Sequence, residues 1–137
     1  MLLQPKKTKY KKYFKPRSLP RITTKAQKLN EQNCFAIISL KSGYLNVQQL
    51  EAARQNIRRK IKREGKLEIV PLADKTVSNK PTSARMGKGK GKVNHWIAPI
   101  LAGKPIFLLY GIDKEQGIPA LRAGANKLPL KIKIQNL

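Results

Sequence analysis

Acidic residues are scarce in this sequence. Seven Asp and Glu stand against thirty Lys and Arg in 137 residues, a formal charge of +23 at pH 7. Screening in physiological salt acts over roughly 8 Å, so this many like charges on a small body repel one another and weaken the compact state unless a polyanion neutralises them. The few acids also leave little for acid–base catalysis: they are scattered, Glu51 and Glu64 lie in a cationic segment, and Asp74 and Asp113 border turns. A single cysteine, Cys34, excludes an internal disulfide and any multi-cysteine metal site. The one histidine, His95, has no second histidine for a metal set and no orienting partner for a general base. No catalytic residue, metal or cofactor is therefore expected. No apolar run approaches the ~20 residues of a spanning helix, and "MLL" runs at once into lysines rather than a signal-peptide core. The first apolar block, "CFAIISL" at 34–40, is strand-sized and follows a basic arm. Nucleic acid is favoured over an anionic membrane surface as the partner.

The lysines and arginines are grouped. Residues 1–28 carry ten of them and no acid, and Pro5, Pro16 and Pro20 break any long helix. The segment 1–30 reads as an extended arm ahead of a folded part at 31–137. Its Tyr10, Tyr13 and Phe14 can stack on exposed bases while Lys6, Lys7, Lys9, Lys11 and Lys12 follow the phosphates.

The folded part opens with a strand over "FAIISL" and a turn at Ser42-Gly43. A helix then follows: Asn46 caps it, Gln49 completes the capping box, and Gly65 supplies a left-handed stop. Val47, Leu50, Ala53, Ile57 and Ile61 fall on one stripe. Arg58, Arg59, Lys60, Lys62 and Arg63 crowd the last turns, more cations than complementarity to the helix dipole accounts for. Arg54 falls flush with the apolar stripe, where it either pairs with Glu51 or reaches past to a phosphate. The candidate RNA-binding residues of the helix are Arg54, Arg58, Arg59, Lys62 and Arg63.

"KLEIVPL" predicts a short strand ending at Pro71, and "ADKTVSNKPTSA" reads as turns. The runs "VNHWIAPI" and "PIFLLYGI" around "AGK" predict a hairpin with Trp96, Phe107 and Tyr110 in the core. "EQGIPALRAGANKLP" is only weakly helical, with Gly117, Pro119 and Gly124 against it, and "LPLKIKI" closes as a half-buried strand with a basic outer face.

Between the turns and the hairpin lies "SARMGKGKGKVNHW" at 83–96. A Walker-type phosphate loop needs four residues between its first Gly and the Gly-Lys pair, then Ser or Thr and a helix; here Val93 and a strand follow. Gly87, Gly89 and Gly91 also miss the dinucleotide-binding spacing. What remains is a loop over 80–92 whose glycines free the backbone and keep the tip slim, and whose lysines each neutralise a phosphate. Arg85, with a planar fork that grips phosphate twice or stacks on a base, is its best candidate for a specific contact. A sequence-neutral DNA-compacting protein would suit the charge equally, but would not need such a probe between strands.

Five blocks, "LLQPKKTKYKK", "QLEAARQNIRRKIKREGK", "ARMGKGKGKV", "GKP" and "ALRAGANKLPLK", resemble in order the bacterial-type large ribosomal subunit protein sixteen family, from residue 2 to about residue 133. The resemblance implies a compact α+β fold, strand-rich with two helices of the α/β hammerhead type, and no catalytic activity. It implies binding to large-subunit ribosomal RNA near the cleft for aminoacyl-tRNA. The arm matching Lys6–Lys12 would lie on ribosomal RNA, while Arg85, Met86, Gly87, Lys88, Gly89, Lys90 and Gly91 would project toward tRNA and the peptidyl transferase centre. The implied partners are ribosomal RNA, tRNA and neighbouring ribosomal proteins, with no homo-oligomer. Ser42 and Tyr44 stand where the family commonly has basic residues. A match that begins at residue 2, with twenty-two lysines against eight arginines, suggests an organelle-encoded mitochondrial ribosomal protein without a presequence, the alternatives being plastid or bacterial cytoplasm.

Overall fold

The computed structural model describes residues 4–15, 19, 34–62 and 64–136. They form seven strands and two helices in the order β1 (Cys34–Ser39), β2 (Gly43–Asn46), α1 (Val47–Lys60), β3 (Lys66–Ile69), β4 (Lys75–Asn79), β5 (Lys92–Ile100), β6 (Pro105–Tyr110), α2 (Lys114–Ala125) and β7 (Ile132–Asn136). The α+β class and the two helices agree with the expected fold. Residues 16–18, 20–33 and Arg63 lie outside the described residues, and with them the later part of the arm and one candidate cation.

The strands divide into two antiparallel sheets, β3-β6-β1-β7 and β2-β5-β4. β1 alternates poorly in sequence because both of its faces are covered. Phe35 and Ile37 join the main core, whereas Cys34, Ala36 and Ile38 pack with Leu108 in a smaller cluster. The main core brings Leu50, Ala53, Ile57 and Ile61 of the α1 stripe against Phe107 and Leu109 of β6 and Ala120 and Leu121 of α2.

β5 and β6 do not form the predicted hairpin. β5 is paired on its two sides by β2 and β4, and β6 by β1 and β3, so each has its ladder filled by a strand other than its chain neighbour. The chain between them turns a corner from one sheet to the other. Gly103, at φ 81°, donates its N–H to Ser39 O at 2.7 Å, Ser39 N–H donates to Lys104 O, and Ala102 N–H donates to Ser42 Oγ. The corner is thus fastened to the parallel crossing that β1 makes into β2.

Two further expectations change. Residues 75–79, read as turns, form β4, because β5 supplies a ladder partner for every residue from Lys75 to Asn79. Residues 114–125, read as weakly helical, form α2. Its glycines are contact points rather than breaks: a Cβ on Gly117 would sit 3.3 Å from Phe35 Cδ2, and one on Gly124 would press closer than 3.0 Å to Ile57 Cγ1. Their bareness lets α2 approach β1 and α1, and Asn56 of α1 donates to Ala123 O across the pair at 2.7 Å. Pro119 is exposed and forfeits a single helical hydrogen bond.

Helix α1 starts as expected, with Gln49 Oε1 accepting the Asn46 N–H at 3.0 Å. It stops earlier than Gly65. Ile61 caps it and Lys62 takes the left-handed conformation at φ 49°. Gly65, at φ 61°, serves the next contact instead: a Cβ there would lie 2.5 Å from Tyr110 O and from Ile112 Cγ1.

Candidate nucleic-acid interface

The loop between β4 and β5 is built on an antiparallel pair that ends at Asn79↔Lys92. Beyond this pair every residue from Lys80 to Lys90 is exposed, and Met86 is 100% exposed. Gly87, Lys88 and Gly89 are three successive residues of positive φ (88°, 51° and 77°), a conformation that two glycines make inexpensive. Gly91 is required for another reason, since a Cβ there would collide with Asn79 O where the limbs of the loop converge.

The arm lies against this loop. Tyr13 N–H donates to Thr76 Oγ1 at 3.3 Å and Thr76 Oγ1 donates to Lys11 O at 3.2 Å, which docks the arm on β4. Lys12 Nζ donates to Lys90 O at 2.8 Å, and Lys90 Nζ donates back to Tyr13 O. Lys80 Nζ donates to Gly87 O across the loop. The result is one basin of about 710 Å³ whose wall includes Lys12, Lys80, Arg85, Lys88, Lys90 and Lys92. No acid lines it. The basin is thus a concentration of cationic side chains, of which Lys12, Lys80 and Lys90 are held by backbone carbonyls.

Of the candidate arm residues, Lys6, Lys7, Lys9, Tyr10, Lys11 and Lys12 are all exposed. Phe14 is 92% exposed, and Lys90 stands over its ring at 4.5 Å. Lys75 covers Tyr13 at 5.0 Å and Lys15 covers Tyr44 at 4.4 Å. A lysine of the arm thus supplies positive charge beside Tyr44. Lys80 and Lys92, the end residues of the loop expected over 80–92, line the basin as well, although they were not among its named candidate residues.

A second basic concavity, about 640 Å³, lies on α1 and is lined by Arg54, Gln55, Arg58, Arg59 and Lys62. Among the described residues the two basins share no lining residue. Arg54 is paired: its Nη2 and Nε donate to the two oxygens of Glu51 at 2.6 and 2.9 Å. The fork holds the Glu51 carboxyl below the usual carboxylate range, with a further hydrogen bond from Gln55, and the carboxylate in turn raises Arg54. Arg58, Arg59 and Lys62 have no acidic partner among the described residues.

No group of three or more potential metal-ligating side chains converges among the described residues, and no helix among them is long and apolar enough to cross a membrane.

Comparison with known proteins gives these surfaces a context. Residues 5–135 match the family described as Ribosomal protein L16p/L10e. The chain is 43% identical over 134 residues to the large ribosomal subunit protein uL16 of Blochmanniella pennsylvanica, covering 96% of each chain. It is also 43% identical over 136 residues to that of Psychrobacter arcticus, covering 97% of this chain and 96% of the relative. The uL16 of Halorhodospira halophila is 40% identical over 135 residues, covering 98% and 97%. With a match over nearly its whole length, arm and glycine-lysine loop included, the chain belongs to the Ribosomal protein L16p/L10e family, whose members are structural rather than catalytic.

Proposed function

We propose that this protein is a structural constituent of the large ribosomal subunit that binds large-subunit RNA through its arm, its loop and the basic end of α1, and that holds the loop 80–92 toward tRNA at the aminoacyl site. The observation that carries the RNA reading is the fastening of Lys12 to Lys90, which makes arm and loop one acid-free basin rather than two independent tails. A cation that only solubilised the chain would not need to be held. The slim, fully exposed tip from Arg85 to Gly89 supports the tRNA part of the reading, because among the described residues the side chains of Arg85, Met86 and Lys88 make no hydrogen bond or ion pair. Neighbouring ribosomal proteins are the remaining partners.

The compartment rests on composition. Twenty-two lysines against eight arginines favour an AT-rich genome and a mitochondrial ribosome, while the compared relatives are bacterial. The experiment is sedimentation of a tagged copy through a high-salt gradient, from organelle and cytosol fractions separately. Co-migration with large subunits is the expected result. A copy that travels with DNA, or free of subunits, would end the proposal, and the fraction that holds the loaded subunits settles the compartment.

A further inference from the structure

A third concavity differs in chemistry from the two basins. It measures about 380 Å³ and is lined by Asn46, Val47, Gln48, Asn94, His95 and Trp96, without a lysine or arginine. On a chain of charge +23 a surface hollow without cations is not built for phosphate.

Its position follows from the sheet. β2 accompanies β5 only as far as Asn46↔Ile97, after which the chain turns into α1, while β4 continues along the other side of β5 to Lys92. The edge of β5 at Asn94–Trp96 therefore has no strand on its β2 side among the described residues, and the hollow opens there. Gln48 and Asn94 are exposed, and neither carboxamide has a hydrogen-bond partner among the described residues; the same holds for the rings of His95 and Trp96, both half-buried. A carboxamide sets a donor beside an acceptor, which matches the edge of a base, and an indole or imidazole face offers a stacking surface. Asn94 also lines the loop basin, so the two hollows adjoin.

We propose that this hollow receives one unpaired nucleobase from an RNA strand whose phosphates lie in the adjoining basin. Trp96 supplies the stacking wall, and Asn94 and Gln48 bond the base edge. The proposal rests on the RNA-binding reading above.

Trp96 is the sole tryptophan, so its fluorescence reports on this hollow alone. The full chain is titrated with short single-stranded oligoadenylate and, separately, with inorganic polyphosphate of matched charge. Both should bind with a similar salt dependence, and only the oligoadenylate should quench Trp96. The variant Gln48→Ala, at an exposed position that does not line the loop basin, should bind oligoadenylate about tenfold more weakly, the scale of one lost base contact. Its salt slope and its polyphosphate affinity should not change, since the slope counts phosphates. Equal quenching by polyphosphate, or undiminished oligoadenylate binding by the variant, would overturn the base site and leave the phosphate basin standing. Failure to bind either polyanion would overturn both.

Discussion

Lys12 and Lys90, two cations seventy-eight positions apart, are held side by side, Lys12 Nζ donating to Lys90 O at 2.8 Å while Lys90 Nζ donates to Tyr13 O. The two ammonium groups donate to different backbone carbonyls, and these offset part of the repulsion between the like charges. On the proposed RNA reading, the arrangement shapes the basin before the anion arrives.

Lys90 and Lys88 should therefore differ in kind. Lys88→Ala removes an exposed cation and should lower the salt slope of RNA binding by about 0.7 to 0.9. Lys90→Ala should do the same and, in addition, release the arm, read as faster proteolytic cleavage within residues 4–15. Equal arm protection in the two variants would contradict the fastening.

On the proposed RNA reading, the Glu51–Arg54 pair makes an acid a restraint on binding. Glu51→Gln frees the Arg54 fork and should raise the salt slope by up to about 0.9. Because the folded Glu51 carboxyl lies below its usual range, the pair stabilises the fold above the unfolded carboxylate pKa, about 4.3. That stability is lost as the pH falls through the lowered value. With the partners 33% and 21% exposed, the loss in the variant at neutral pH should stay below about 1 kcal/mol. Denaturation curves should show it at pH 7 and not at acid pH.

The far end of α1 is separable from the loop. Replacing Arg58, Arg59 and Lys62 together by Ala should lower the salt slope by about 2 to 3, measured by filter binding across a salt series. Removing residues 86–91 should instead leave incorporation into large subunits mostly intact and impair tRNA accommodation. Normal tRNA binding by such particles would refute the role assigned to the tip.

Gly124 should tolerate no side chain. Gly124→Ala drives a methyl group into Ile57 and Ala53 O, and overpacking of this kind costs about 1 to 3 kcal/mol. Thermal melts should show the loss. Pairing the change with Ile57→Ala should give less destabilisation than the sum of the two, since the colliding atoms are then gone.

Gly124 also shows why part of the fold was hidden in the sequence. Propensity counts a glycine against a helix, but only the tertiary partner reveals that bareness is the requirement, here Ile57 sixty-seven residues away. The stripe from Val47 to Ile61 was legible because its periodicity is local, and so was the alternation of Ile132 and Ile134 with Lys131 and Lys133 in and before β7. The division of β5 and β6 between sheets was not, because two apolar runs around a short turn look the same whether they pair with each other or with distant strands. At the candidate site, the cations were visible one by one; what composition could not give was that Lys12 and Lys90 meet, or that Tyr44 borrows Lys15. Nor could it single out the hollow beside Trp96, which is defined by where β2 leaves its neighbour.

The joint at Ser39 and Gly103 has a mechanical meaning. Two of the four passages of the chain from one sheet to the other, β1 to β2 and β5 to β6, meet at it, so the two sheets are riveted together at that corner. The glycine-lysine finger, rooted in β4 and β5, therefore springs from a sheet whose far end is pinned, a footing rather than a tether.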